Sequence, residues 1–173
     1  MNSKQLIGFL PSNKFKKIGF FLGILFLILT AFISYKPEPF LKFGYVGVFI
    51  FNLFGPGTLL IPTLAQHMSV FWLALASSIG MSFNDSISWL IGNYGITIIP
   101  RSKRIIQIEK SLEKYGFLFL FFWSAMPIPY DLIGLITGYL DYPYKKFIVP
   151  SVLGKFTRFI LLGYGILKIF KLN

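Results

Sequence analysis

Cysteine is absent from this 173-residue chain, which excludes disulfides, thiolate nucleophiles and Cys-based metal sites. Histidine occurs once, at His67, so a His-rich metal cluster is excluded and no convincing catalytic triad can be assembled. No glycine-rich phosphate loop of the usual spacing is present. Charged residues make up only 13%, and just 6 are acidic. No catalytic residue, metal or cofactor is therefore expected, and the chain reads as a non-enzyme.

What is present is apolar. The sequence is 55% hydrophobic and contains 21 Phe, a membrane composition whose length suits one domain. The net charge of +11 lies in short segments between apolar runs. That pattern points to positive-inside topology and anionic lipid head groups, with no nucleic acid as partner.

Residues 1–17 form a basic tail with Lys4, Lys14, Lys16 and Lys17. Residues 18–35 read as an N-terminal transmembrane helix; the segment after the apolar run offers no small-x-small cleavage site, so a retained anchor is expected. Two later apolar stretches, 43–65 and 116–140, are broken by proline. The first break holds Gly55, Pro56, Gly57 and Pro62; the second holds Pro127 and Pro129. Proline removes a backbone donor, and in lipid such a break survives only inside protein or beside a wet cavity. Each broken stretch precedes a span carrying a charge, at 70–99 and 147–170. Between them, 101–115 reads as an amphipathic linker with Ile105, Ile108 and Leu112 on one face, lying in the head-group layer.

Topology follows from parity. With the basic tail in the cytoplasm, Arg101, Lys103, Arg104, Lys145 and Lys146 all stay inside only if both broken stretches dip in and return. The expected fold is all-α: a multi-pass cell-membrane protein with a cytoplasmic N-terminus and two opposed re-entrant helical hairpins. The halves also share a plan. Gly44 stands 12 residues before Pro56 and Gly116 stands 11 before Pro127; Gly80 precedes Asp85 by five, and Gly154 precedes Arg158 by four. This is the pattern of an inverted repeat, which in transporters brackets the site.

Three charges are candidates for a substrate or ion pathway. Asp85 lies within an apolar span, at a cost of about 2.5–3.5 kcal/mol, and is functional by default. Its structural alternatives are an ion pair or a helix cap. Arg158 needs a partner, either Asp85, Asp131 or a lipid phosphate. Lys155, one turn earlier, is expected to snorkel to the inner interface. Asp131 is either a proton-exchanging carboxylate at the second hairpin tip or the cap of the return helix. Gly55 and Gly57 are read as flexible points. Gly80, Gly138 and Gly154 are read as close-packing positions, and Gly134 permits close approach beside the second break. Trp72, Trp89 and Trp123 are expected to face lipid or the interface, and His67 an interfacial loop.

The spaced set Lys114-Tyr115-Gly116, Met126-Pro127-Ile128-Pro129-Tyr130-Asp131, Gly138, Phe147, Gly154 and Arg158 resembles the DedA or VTT-domain (SNARE-associated Golgi protein) superfamily. Gly80, Asp85, Trp89, Gly92 and Gly95 are similar to its glycine–Asp–aromatic–glycine stretch, and Pro56-Gly57 to the turn of its first hairpin. The resemblance covers 40–170. It implies two opposed re-entrant hairpins and movement of polyprenyl phosphate or phospholipid between leaflets. Thr58, Ser124 and Tyr130 stand where many transport-competent members carry acidic or arginine residues. The expected activity is flippase- or scramblase-like movement of an anionic lipid. The alternatives are a small ion- or solute-coupled transporter and a non-transporting membrane scaffold. Membrane lipids are the expected partners, and a homo-oligomer is compatible with the sequence.

Overall fold

Hydrocarbon offers no hydrogen bonds, so an apolar chain of this kind satisfies its backbone within helices. The computed structural model describes residues 25, 28, 29, 31–33, 35–54, 57–94 and 103–169. The basic tail, most of the segment 18–35, Gly55, Pro56, Gly95 and Arg101 lie outside the described residues. Within them the structure is all-α, as expected, and no strand occurs.

A short helix α1 (Glu38–Leu41) precedes α2 (Gly44–Phe54). A 3-10 turn at Gly57–Leu60 runs into α3 (Ile61–Leu64), where Pro62 sits in the first turn and so forfeits no helical bond. Two long helices, α4 (Val70–Tyr94) and α8 (Tyr144–Ile169), enclose α5 (Lys103–Tyr115), α6 (Phe117–Ala125) and α7 (Asp131–Tyr139) in the chain order. Among the described residues, α8 is the one helix long and apolar enough to cross a membrane by length and composition. Helix α4 has 25 residues, about 37 Å at 1.5 Å each, but carries Ser77, Ser78, Ser82, Asn84, Asp85 and Ser86 in its middle.

The chain turns where its residues demand it. Gly44 and Gly116 adopt positive φ, +57° and +39°, at the first residue of α2 and immediately before α6. Met126 leaves α6 in extended conformation (φ −81°, ψ 150°), as the residue before a proline must.

Helix α6 runs beside α8 in the same direction: Phe117 shares a cleft with Val149 and Pro150, Phe121 faces Gly154, and Met126 meets Arg158. Helix α7 likewise follows α4, with Gly134 at Asp85 and Gly138 at Trp89 and Asn93. The long helices themselves run oppositely, Val70 lying at Gly163 and Ser86 at Tyr144. The arms α6 and α7 therefore point in opposite directions. Each has 9 residues, about 14 Å, or half of a hydrocarbon layer about 30 Å thick.

Small residues set these contacts. A Cβ on Gly138 would lie 2.0 Å from the Trp89 carbonyl oxygen, one on Gly80 2.6 Å from that of Phe49, and one on Gly154 2.4 Å from that of Phe121. Two apolar cores result. One gathers Val48, Leu60, Ile61, Leu64, Leu73 and Phe159; the other gathers Trp89, Leu112, Leu120, Tyr130, Ile133 and Phe147. In α5, Ile105 and Leu112 are buried and Ile108 packs on the second core, which is the face read from the sequence.

Candidate polar site between the chain breaks

Helix α8 has 26 residues and Arg158 is its fifteenth; Asp85 is the sixteenth of 25 in α4. Both charges therefore sit near mid-length of the helices that carry them. The two breaks reach the same level. Thr58, just past the first, approaches Met81, and Met126, at the second, approaches Arg158. A cavity of about 560 Å³ lies between them. Its lining includes Thr58, Asp85, Asp131, Lys155, Arg158 and both Pro127 and Pro129. The three predicted charges thus share one cavity.

Their partners differ from those expected. Lys155 does not snorkel; it is buried and forms an ion pair and hydrogen bond with Asp85. Side-chain exposure is 1% for Lys155 and 6% for Asp85, so the pair is desolvated. The reason is the α4–α8 register, which turns Lys155 toward α4 and away from the interface. Its ammonium also lies 4.1 Å from the centre of the Tyr130 ring, a cation–π contact at the second break. Ser151 Oγ is 2.8 Å from the Tyr130 hydroxyl and 2.7 Å from the Phe147 carbonyl. With the serine proton on the carbonyl, the tyrosine donates to the serine.

Arg158 is left without a carboxylate partner among the described residues. Its Nη1 donates to the Met126 carbonyl at 2.9 Å, and Nη2 approaches Thr58 Oγ1 at 3.4 Å. Its Nε is buried with no hydrogen-bond partner among the described residues. Both bonds go to neutral oxygens, so among the described residues no carboxylate is hydrogen-bonded to the guanidinium, although Asp85 and Asp131 line the same cavity.

Asp131 is exposed at the cavity rim and accepts a hydrogen bond from Ser88 Oγ at 3.4 Å. It is not the side-chain cap of α7. Tyr130 holds the cap position without a side-chain bond, and Asp131 is the first helical residue, where a carboxylate favours the helix dipole. Gly57 is a position of close approach, because a Cβ there would meet Asn52 Oδ1 at 1.9 Å. Trp89 does not face lipid; it is buried and donates from Nε1 to the Tyr142 carbonyl at 3.0 Å. Trp72 and His67 are exposed, and Trp123 is half-buried.

Asn52 escaped the sequence reading, and Ser124 entered it only as a departure from the family pattern. Asn52 is buried and donates to the Val48 carbonyl at 2.7 Å and toward Ser77 Oγ at 3.4 Å. Ser124 is buried and donates to the Ser151 carbonyl at 2.9 Å. A signal was available: each lies eight residues after its positive-φ glycine, Gly44 or Gly116.

The VTT-domain family profile matches residues 55–167. An uncharacterized membrane protein of Buchnera aphidicola subsp. Acyrthosiphon pisum (strain APS) is 26% identical over 111 residues, 57% of this chain. The chain spans less than half, 43%, of that relative's length. No solved structure matches. The profile match covers well over half of the chain, which thus belongs to the VTT-domain (DedA) family of membrane proteins.

Proposed function

We propose that this protein moves lipids with anionic head groups between the leaflets of a cell membrane, and that α2–α3 and α6–α7 are re-entrant hairpins entering from opposite faces. The observation that carries the reading is Arg158. An intramembrane guanidinium with no carboxylate partner among the described residues, in a cavity between two chain breaks, suits a phosphate that comes and goes.

Three further features support it. Arms about 14 Å long are too short to cross, and their opposed directions return the chain to the face it left. The contacts of the two halves correspond. Phe49 with Gly80 matches Phe121 with Gly154, and Asn52 with Ser77 matches Ser124 with Ser151, on long helices of opposite direction. This correspondence supports reading the two halves as an inverted repeat. Finally, the cavity mouth is apolar: Phe54, Leu59 and Ile128 line it and are exposed. Ile128 also borders an apolar groove of about 480 Å³ lined by Leu118, Phe122, Trp123 and Met126. A head group in the polar cavity with tails along this groove favours a lipid over a soluble ion, which would need an enclosed cavity.

In this reading the N-terminus is cytoplasmic, the protein is multi-pass, and no covalent chemistry occurs. The test is reconstitution into liposomes carrying a leaflet-labelled anionic lipid, with quencher accessibility followed in time. Faster exchange than in empty vesicles is expected. Equal accessibility for several anionic lipids would remove the reading.

A further inference from the structure

The basic pair Lys145-Lys146 lies away from the Arg158 cavity. Gly116, at φ +39°, swings the chain sharply from α5 into α6 and leaves a cleft of about 610 Å³ against the loop between α7 and α8. One end of the cleft is polar. Lys145 and Lys146 line it, both exposed, and among the described residues neither is ion-paired. Glu113 is the acidic side chain on the wall, so the lining carries a net positive charge. The other end is apolar, with Phe117 and Val149 both lining it and 45% and 50% exposed.

The two lysines occupy the first turn of the 26-residue helix α8. That placement opposes the helix dipole, whose positive end favours anions. An anion in the cleft would meet two ammonium groups at the positive end of the helix, relieving the mismatch. The cleft is thus cationic at one end and greasy at the other, where helix starts meet the apolar body of the protein.

We propose that this cleft holds the head group of an anionic membrane phospholipid, with its phosphate at Lys145 and Lys146 and its acyl chains against Phe117 and Val149. Inorganic phosphate alone would lack the second half of the site. The residues are separate from the Arg158 cavity, so failure of leaflet exchange would leave this site standing, and the reverse.

Native mass spectrometry of the full chain, titrated in detergent with phosphatidylglycerol or phosphatidylcholine, tests it. One phosphatidylglycerol is expected to bind in clear preference to phosphatidylcholine and to survive excess inorganic phosphate. The double variant Lys145→Gln/Lys146→Gln is expected to lose about twenty-five-fold in affinity, two lysines at about five-fold each. The pair Lys145→Arg/Lys146→Arg is expected to retain binding, and serves as the folded control. Removing two charges elsewhere on α5, by Lys103→Gln/Lys110→Gln, is expected to change affinity less than about three-fold, because those side chains do not line the cleft. Equal losses for both glutamine pairs, displacement by inorganic phosphate, or no preference over phosphatidylcholine would each overturn the assignment.

Discussion

Arg158 donates from Nη1 to the Met126 carbonyl 2.9 Å away, closing the last turn of α6 with a positive charge. The carbonyl is available because α6 stops at Ala125, and cations favour a helix C-terminus. The same guanidinium reaches Thr58 beyond the first break. One side chain therefore touches both interruptions of the chain. Replacing it by Gln is expected to slow exchange of an anionic lipid roughly ten- to hundred-fold, the loss of one charge-assisted bond of about 1.5–3 kcal/mol. Lys at this position keeps the charge but not the fork, and an intermediate rate is expected. Reconstituted vesicles give both rates.

The Asp85–Lys155 pair makes a different prediction. Removing one partner leaves a buried charge, so Asp85→Asn or Lys155→Met alone should destabilise the protein by about 3–5 kcal/mol. The double variant should recover most of that loss, because two neutral groups of similar size replace the pair. Thermal unfolding in detergent, with both singles and the double, checks the sign of the coupling.

Glycines at the helix crossings predict a graded series. Gly138→Ala would drive a methyl to 2.0 Å from the Trp89 carbonyl oxygen and should cost about 1–3 kcal/mol or more. Gly165→Ala meets nothing within 4 Å and should stabilise by up to about 1 kcal/mol through helix propensity. If both behave alike, tight packing of α7 on α4 is not what glycine provides there.

The absence of cysteine makes topology directly measurable, since any introduced thiol is the sole one in the chain. Lys110→Cys and Lys145→Cys should react with an impermeant maleimide from the same side, because α5 and the α7–α8 loop border one cleft. Gln66→Cys should react from the opposite side, at the far end of the 25-residue α4 from Asn93 and Asp141. Labelling of Lys110→Cys and Lys145→Cys from opposite sides would end the re-entrant reading.

Much of this was legible before any coordinates. The prolines mark the breaks because no other residue deletes a backbone donor, and Asp85 and Arg158 stand out because charge is so rare in their surroundings. The face of α5 followed from spacing alone. Lys155 was misread because its direction depends on how α4 and α8 are rotated against each other, which no local pattern records. Asn52 was overlooked, and the packing role of Ser124 was missed, because a single small polar residue in an apolar arm looks incidental until its partner helix is in place. Pro150, inside α8, went unremarked for the opposite reason: the surrounding run is apolar enough to read straight through it.

The two short arms also bear on voltage. If breaks entering from both faces meet at mid-depth, water can follow them, and the membrane potential then falls across the narrow gap that Arg158 spans between Met126 and Thr58 rather than across the whole hydrocarbon layer. A phosphate crossing there senses nearly the full field, worth about 2.3 kcal/mol per charge at 100 mV. Traffic of anionic lipid through such a gap would be biased toward the electrically positive side of the membrane.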